Sequence, residues 1–301
     1  MMSINTVETM IASASAFGLN TLVDPSKYGL SLTLGGGEVR MVDMAEAFSV
    51  FANAGIRKDL VSILKVTDKN EKVLEEYKDP NLDKEIPSQL LLTGDRVVSA
   101  ETAFLISHIL LDNNARQDAF GSSSLLSIPG HAVSVKTGTT DDVKDNWTIG
   151  FTPQYLVAVW VGNNSGEAMN SSLVSGVTGA APIWNKLMRK VLEGKSDIWP
   201  KQPEDIVGAQ ICTMTGALPP NPSAEGDQGC PTRFEYFRRG TIPPTQPLRQ
   251  AVVIDKATGD LAAPGQTDNT EVQEHDIARD PLSMWCIDCP HPEGKVTVIR
   301  Y

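Results

Sequence analysis

Residues 133–162 constrain the fold of this chain more than any other stretch. Val133-Ser134-Val135-Lys136 alternates apolar and polar side chains, the two-residue period of a half-buried strand. Residues 146–151 and 155–162 are rich in aromatic and β-branched side chains, and Thr152-Pro153-Gln154 makes a turn between them. Three short strands in succession are connected most simply as an antiparallel meander.

The chemistry of this stretch lies in Lys136-Thr137-Gly138-Thr139, which places a cation, two hydroxyls and a glycine within one short segment. A glycine lets a ligand lie close against a strand, because no Cβ stands in the way. Alternation puts the Thr137 and Thr139 side chains on one face, able to hydrogen-bond a carboxylate. Lys136 adds positive charge, and a free backbone N–H such as that of Thr139 can stabilise a developing oxyanion. An ideal strand aims Lys136 away from the two threonines. Convergence therefore requires twist, or a partner on the lysine's own side.

Lys136-Thr137-Gly138-Thr139-Thr140, followed by Asp145-Asn146-Trp147 and Gly150-Phe151-Thr152-Pro153, resembles the third motif of penicillin-binding protein transpeptidases. Residues 34–39 and 44–48, ending in Phe51-Ala52-Asn53-Ala54-Gly55, resemble the family's helix before that motif, and Ala180-Ala181-Pro182-Ile183-Trp184 resembles its closing helix. The likeness runs over about residues 1–195 and is nearest to the bifunctional class A members. Thr148 departs from the pattern, since the family usually carries an aromatic residue there.

The resemblance implies an α+β fold of the penicillin-binding and serine β-lactamase type, an antiparallel sheet with helices packed on it. It implies D,D-transpeptidation that cross-links peptidoglycan stem peptides, and acylation by β-lactams. Lys136 and Thr139 would take the catalytic roles, with Thr137, Gly138, Thr139, Thr140 and Trp147 as substrate-binding residues. The domain would face outward from the bacterial cytoplasmic membrane, with a membrane anchor and a glycosyltransferase domain upstream. The alternative is a non-catalytic fragment or binding module of the cell envelope.

At 301 residues the chain can bury a sizeable core. Its formal charge of −11 argues against nucleic acid as a partner, and against charge-driven binding to an anionic membrane. No apolar run approaches the roughly 18 residues of a membrane span. Ala12-Ser13-Ala14-Ser15-Ala16 imitates a signal-peptidase site, but no Lys or Arg precedes Lys27 and Glu8 interrupts any apolar core. No P-loop and no G-x-S-x-G is present, and no cofactor is expected.

Two short matches bear on the nucleophile. Ser62-Ile63-Leu64-Lys65 fits S-x-x-K, but that motif needs a helical turn to bring lysine beneath serine, and residues 61–67 read as a strand. Ser3-Ile4-Asn5 fits S-x-N but lies too near the helix end at Gly18. The serine nucleophile, its lysine and the S-x-N motif are therefore expected before Met1, and this chain alone is expected to be inactive.

Elsewhere the spacing of Val7, Met10, Ile11, Ala14 and Phe17 predicts a helix ended by Gly18. Residues 41–54 form a clearer one, with Met41, Met44, Ala45, Phe48, Phe51 and Ala52 on its core face and Gly55 at its end. A hairpin is expected over residues 61–77, with Asp68-Lys69-Asn70 at the tip, and a polar loop over 79–95. Ser99 caps a helix running to about Asn113, and residues 114–129 read as a flexible approach to the Lys136 strand. Residues 163–179 read as a Ser/Gly/Asn-rich loop overhanging that strand. A final helix opens with Pro182 at its first position, runs through Ile183, Leu187 and Val191, and closes near Gly194.

Most of the 19 prolines and all four cysteines follow Trp199. The division expected is residues 1–198 as the transpeptidase portion and 199–301 as a Cys/Pro-rich β appendage. Cys212, Cys230, Cys286 and Cys289 can pair in three ways, and Cys212–Cys230 is favoured. Cys286-x-x-Cys289 also suits a zinc knuckle, with His291 close by, although Cys212 and Cys230 are spaced unlike a second zinc pair. No metal is assigned. His108, His131 and His275 have no evident partner in the sequence.

Overall fold

The computed structural model describes residues 6–78, 94–121, 123–170, 178–219, 230–280, 282–291, 294 and 296–300. Ser3-Ile4-Asn5, most of the expected 79–95 loop and residues 171–177 lie outside them. The chain divides into two compact units, Met1–Pro203 and Glu204–Tyr301.

The first unit opens with α1 (Val7–Ala16), whose N-cap Thr6 accepts from the Thr9 N–H and which ends at Gly18 with φ +96°. Two 3₁₀ turns, Pro25–Lys27 and Leu30–Leu34, lead to α2 (Met41–Ala52). The helix is where the spacing puts it, but its core face is turned. Asp43, Ala47 and Val50 are buried, whereas Met41 is half exposed. Two apolar stripes overlap on this helix, and its packing against the helix Ala100–Leu111 and the strands Asp145–Phe151 and Leu156–Gly162 selects between them. Arg40 at the N-cap donates to the buried Asp43 through two hydrogen bonds of 2.7 and 2.8 Å.

Short pairings follow. β1 (Ile56–Arg57) pairs with β4 (Asp95–Arg96), and β2 (Lys65–Thr67) with β3 (Val73–Glu76), around a tip where Asp68 accepts from the Asn70 and Lys72 N–H groups. α3 (Ala100–Leu111) is capped by the Ser99 hydroxyl. The segment read as a flexible approach instead contains the short helix α4 (Gln117–Phe120) and two core residues, Leu126 and Ile128. Their burial fixes the path into the sheet.

That sheet is an antiparallel meander of β5 (Ser134–Thr139), β6 (Asp145–Phe151) and β7 (Leu156–Gly162), in the order β5-β6-β7. The mixture of helices with antiparallel strands is the α+β architecture expected. α5 (Ala180–Leu192) covers one face and starts earlier than Pro182 indicated, with Pro182 inside its first turn. Its buried stripe is Ala181, Trp184, Asn185, Met188 and Leu192, while Ile183 and Leu187 are exposed. The indole decides this: Trp184 fills the space above Gly150, where a Cβ would come within 2.3 Å of the ring. Val133, Val135 and Val159 complete this core. On the other face Phe48 of α2 meets Phe151 edge-on, and the Ser134 hydroxyl donates to the Ser107 carbonyl of α3.

The second unit pairs β8 (Ile206–Cys212) with β9 (Thr232–Arg238). It also forms a four-stranded antiparallel sheet of β10 (Arg249–Asp255), β11 (Thr270–Arg279), β12 (Ser283–Cys286) and β13 (Val298–Arg300), in chain order. Disulfides join Cys212 to Cys230 and Cys286 to Cys289.

Asp260, 1% exposed, ties this sheet together. Burial pushes its carboxyl up, but N–H groups of Thr297 and Leu261, with His291, outweigh that and hold it below the usual range. Asp280 is lowered by the Ser283 hydroxyl and by the Leu282 and Ser283 N–H groups. A carboxyl whose folded pKa is depressed stabilises fully above the unfolded value, near pH 4, and loses that contribution as pH falls through the folded value. Acid unfolding of the chain below about pH 4 is therefore expected to be less steep in Asp260→Asn than in the parent, read from unfolding midpoints across a pH series.

Candidate active site

Burial changes midway along β5. Ser134 and Val135 are buried, whereas Lys136, Gly138 and Thr139 are exposed and Thr137 is half-buried. The strand thus leaves the core where its chemistry begins. Among the described residues β5 pairs only with β6, so its other edge is open.

The register shows what that edge presents. The Thr140 N–H donates to the Asp145 carbonyl at 3.1 Å, so residue 140 belongs to the hydrogen-bonded set facing β6. Antiparallel alternation then turns the N–H and C=O groups of Thr139 and Thr137 toward the open edge. The Lys136 side chain reaches the same edge, where Nζ donates to the Thr137 carbonyl at 2.5 Å. The ammonium thus curls around the backbone onto the edge that also carries the Thr139 N–H, whereas strand alternation keeps the threonine side chains on a face.

The hydroxyls are set by a residue the sequence reading gave no role. Asn146 is fully buried on β6, opposite Thr139. Its Oδ1 accepts from the Ala180 N–H at 2.6 Å, the first residue of α5, which fixes the amide so that Nδ2 donates to the Thr139 hydroxyl oxygen at 2.9 Å. Thr139 is thereby an acceptor inside the protein and keeps its own O–H free to donate outward. The available signal was an amide side chain inside the motif that follows Lys136-Thr137-Gly138-Thr139. The Thr140 hydroxyl oxygen, in contrast, accepts from the Lys144 and Asp145 N–H groups and braces the hairpin.

Gly138 is not demanded by the chain's own packing. A Cβ there would meet only Trp147 Cβ at 3.7 Å, an ordinary contact. The space over Gly138 is left open, and half-buried Trp147 stands beside it. Thr148 is fully buried, and its hydroxyl has no partner among the described residues, as is also true of the Trp184 indole N–H.

Ser62 lies outside any helix, and Lys65 begins β2, so this S-x-x-K lacks the helical turn its chemistry needs. A cavity of about 310 Å³ sits at the start of β5, away from Lys136, and is lined by residues including Leu126, Ile128, Arg116, Asp197 and Trp199. Burial lowers the Arg116 guanidinium there, with Asp112 opposing. Among the described residues no helix is long and apolar enough to cross a membrane.

Residues 25–189 match the family model described as the penicillin-binding protein transpeptidase domain. The chain is 30% identical over 280 residues to penicillin-binding protein 1A of Clostridium botulinum, covering 87% of this chain and 31% of that protein. It is 30% identical over 251 residues to penicillin-binding protein 1A of Neisseria gonorrhoeae, covering 81% and 28%. The crystal structure of penicillin-binding protein 1A from Haemophilus influenzae superimposes with a TM-score of 0.63 at 26% identity, over 80% of this chain and 38% of that one. The chain thus spans about a third of the length of these curated relatives.

Proposed function

Because the chain belongs to the penicillin-binding protein transpeptidase family, we propose that it is the portion of a D,D-transpeptidase that grips the acyl-D-alanine end of a peptidoglycan stem peptide, and that β-lactams occupy the same place. One observation carries this reading: the open edge of β5, where the Thr139 N–H and the Lys136 ammonium emerge together beside the unobstructed Gly138.

The roles follow from the groups present. A serine of the S-x-x-K type, from a segment outside this chain, attacks the carbonyl between the last two D-alanines, giving its proton to the motif's lysine. The developing oxyanion accepts from the Thr139 N–H, while the Thr137 and Thr139 hydroxyls donate to the terminal carboxylate. Lys136 supplies positive charge to both. D-alanine leaves with a proton on its nitrogen, and the amine of a second stem peptide then takes the acyl group from serine. Trp147 forms a wall of the groove, and Thr140 supports it by holding the β5–β6 turn. The whole protein would work at the outer face of the cytoplasmic membrane, with an anchor and a glycosyltransferase domain preceding this portion.

Fluorescent penicillin tests the reading. The 301-residue chain is expected to form no covalent adduct, and a polypeptide that joins it to the S-x-x-K segment is expected to label. Labelling of the shorter chain at Ser62 or Ser3, or failure of the joined one to label, would overturn it.

A further inference from the structure

The four-stranded sheet of the second unit carries a cluster that transpeptidation does not use. His275 on β11 and Cys286, Asp288 and Cys289 at the end of β12 bring one ligand-type atom each within 4.8 Å of one another. The β11–β12 register pairs Ile277 with Cys286, and the Ile287 N–H donates to the Asp276 carbonyl at 2.8 Å. Continued one step, this register sets His275 opposite Asp288. The cluster is thus built by strand pairing and a tight turn.

Each member is held for ligation. Gln273 donates its amide N–H to Glu271, so its Oε1 is what faces His275 Nε2, at 2.9 Å. With a metal on Nδ1, His275 would donate from Nε2 to that oxygen, the outer-partner arrangement that orients metal-binding histidines. Nδ1 lies 3.1 Å from Asp288 Oδ1, which is 3.5 Å from Cys286 Sγ. The Cys289 N–H donates to Cys286 Sγ at 3.1 Å, so the turn holds both cysteines against the cluster. Cys286 is fully buried and Cys289 nearly so. Ligand bonds of about 2.0–2.3 Å place tetrahedral ligands roughly 3.3–3.8 Å apart, so small shifts would close the set around one ion.

We propose that this cluster is a zinc site in the reduced protein, with Cys286, Cys289, His275 and Asp288 as its four ligands, and that the Cys286–Cys289 disulfide is its oxidised, metal-free state. A dithiol reductant delivers two electrons and two protons, becoming a disulfide as the Cys286–Cys289 bond opens to two thiols. Zinc then displaces both thiol protons and binds two thiolates, a neutral imidazole and a carboxylate. The resulting site carries one net negative charge, answered by Arg249, whose guanidinium lies 3.4 Å from Asp288 Oδ2. Two sulfurs with one imidazole and one carboxylate form a set that zinc accepts. The sequence pointed at His291 as the neighbouring histidine, but His291 is engaged with Asp260. The ligand is His275, distant in sequence. Among the described residues no comparable group surrounds Cys212 and Cys230.

The test uses the full 301-residue chain, reduced with a phosphine under argon and titrated with cobalt(II), then with zinc against a chromophoric chelator. One equivalent of cobalt is expected, with the intense visible bands of tetrahedral thiolate coordination, displaced by one equivalent of zinc. The oxidised chain should take up none. His275→Ala should weaken zinc binding by about 100-fold and Gln273→Leu by roughly 10-fold, the scale of ligand and outer-partner losses, with circular dichroism unchanged in the oxidised forms. Reduced protein that binds no stoichiometric metal would overturn the proposal. So would an affinity that His275→Ala, His275→Gln and Asp288→Asn all leave unchanged, since that metal would sit on thiols alone.

Discussion

Trp184→Ala is expected to destabilise the first unit by about 3–5 kcal/mol, the range for emptying a buried aromatic site. The indole is fully buried between α5 and the sheet, packed on Gly150 with Val133, Val135, Val159 and Met188 around it. Collapse into the hole is limited, because the strand beneath offers a glycine instead of a side chain that could swing across. Urea unfolding followed by circular dichroism measures the loss as a lowered midpoint at unchanged slope. The complementary change, Gly150→Ala, would force a methyl to within 2.3 Å of the ring. It is expected to cost at least the roughly 1–3 kcal/mol typical of overpacking. If Trp184→Ala cost less than about 1 kcal/mol, the interlock of α5 with the sheet would not be what holds this face together.

Thr139→Pro is expected to leave the sheet paired and to slow penicillin acylation by about 10²–10³-fold beyond Thr139→Val in the polypeptide carrying the S-x-x-K serine, the usual effect of losing one oxyanion donor. The register predicts this contrast. The Thr139 N–H faces the open edge of β5, where a proline removes no ladder hydrogen bond. Thr140→Pro, one residue on, would break the bond to Asp145 and disturb the hairpin itself. Thr139→Val removes the hydroxyl but keeps the N–H, so the difference between the two Thr139 variants reports the amide. Acylation by Thr139→Pro at the rate of Thr139→Val would remove the N–H from the mechanism.

Local signals reached far into this fold because so much of it is periodic. The alternation at 133–136 and the aromatic and β-branched runs after it gave three strands in the right order, and Gly18 and Gly55 marked helix ends with positive φ. The buried face of α2 is turned from the one its spacing indicates. Helical spacing admits more than one apolar stripe, and only the facing elements select between them: α3 and the sheet against α2, and Gly150 beneath Trp184 on α5. Leu126 and Ile128 sit in a stretch with no period to read, yet both are core.

The sequence by itself determined the chemistry at hand: a lysine, two threonines and a glycine at the end of a strand, cysteines confined to the last third, and a family likeness resting on ordered motifs. Only tertiary structure decided where that chemistry points. Side-chain alternation separates Lys136 from the threonine hydroxyls, and among the described residues β5 pairs only with β6, leaving an edge where the ammonium meets the Thr137 carbonyl. Asn146 gained its role from Ala180, thirty-four residues away, and His275 found Asp288 across a strand pair. Contacts between residues distant in the chain leave no local period to read, because they are fixed by packing and register.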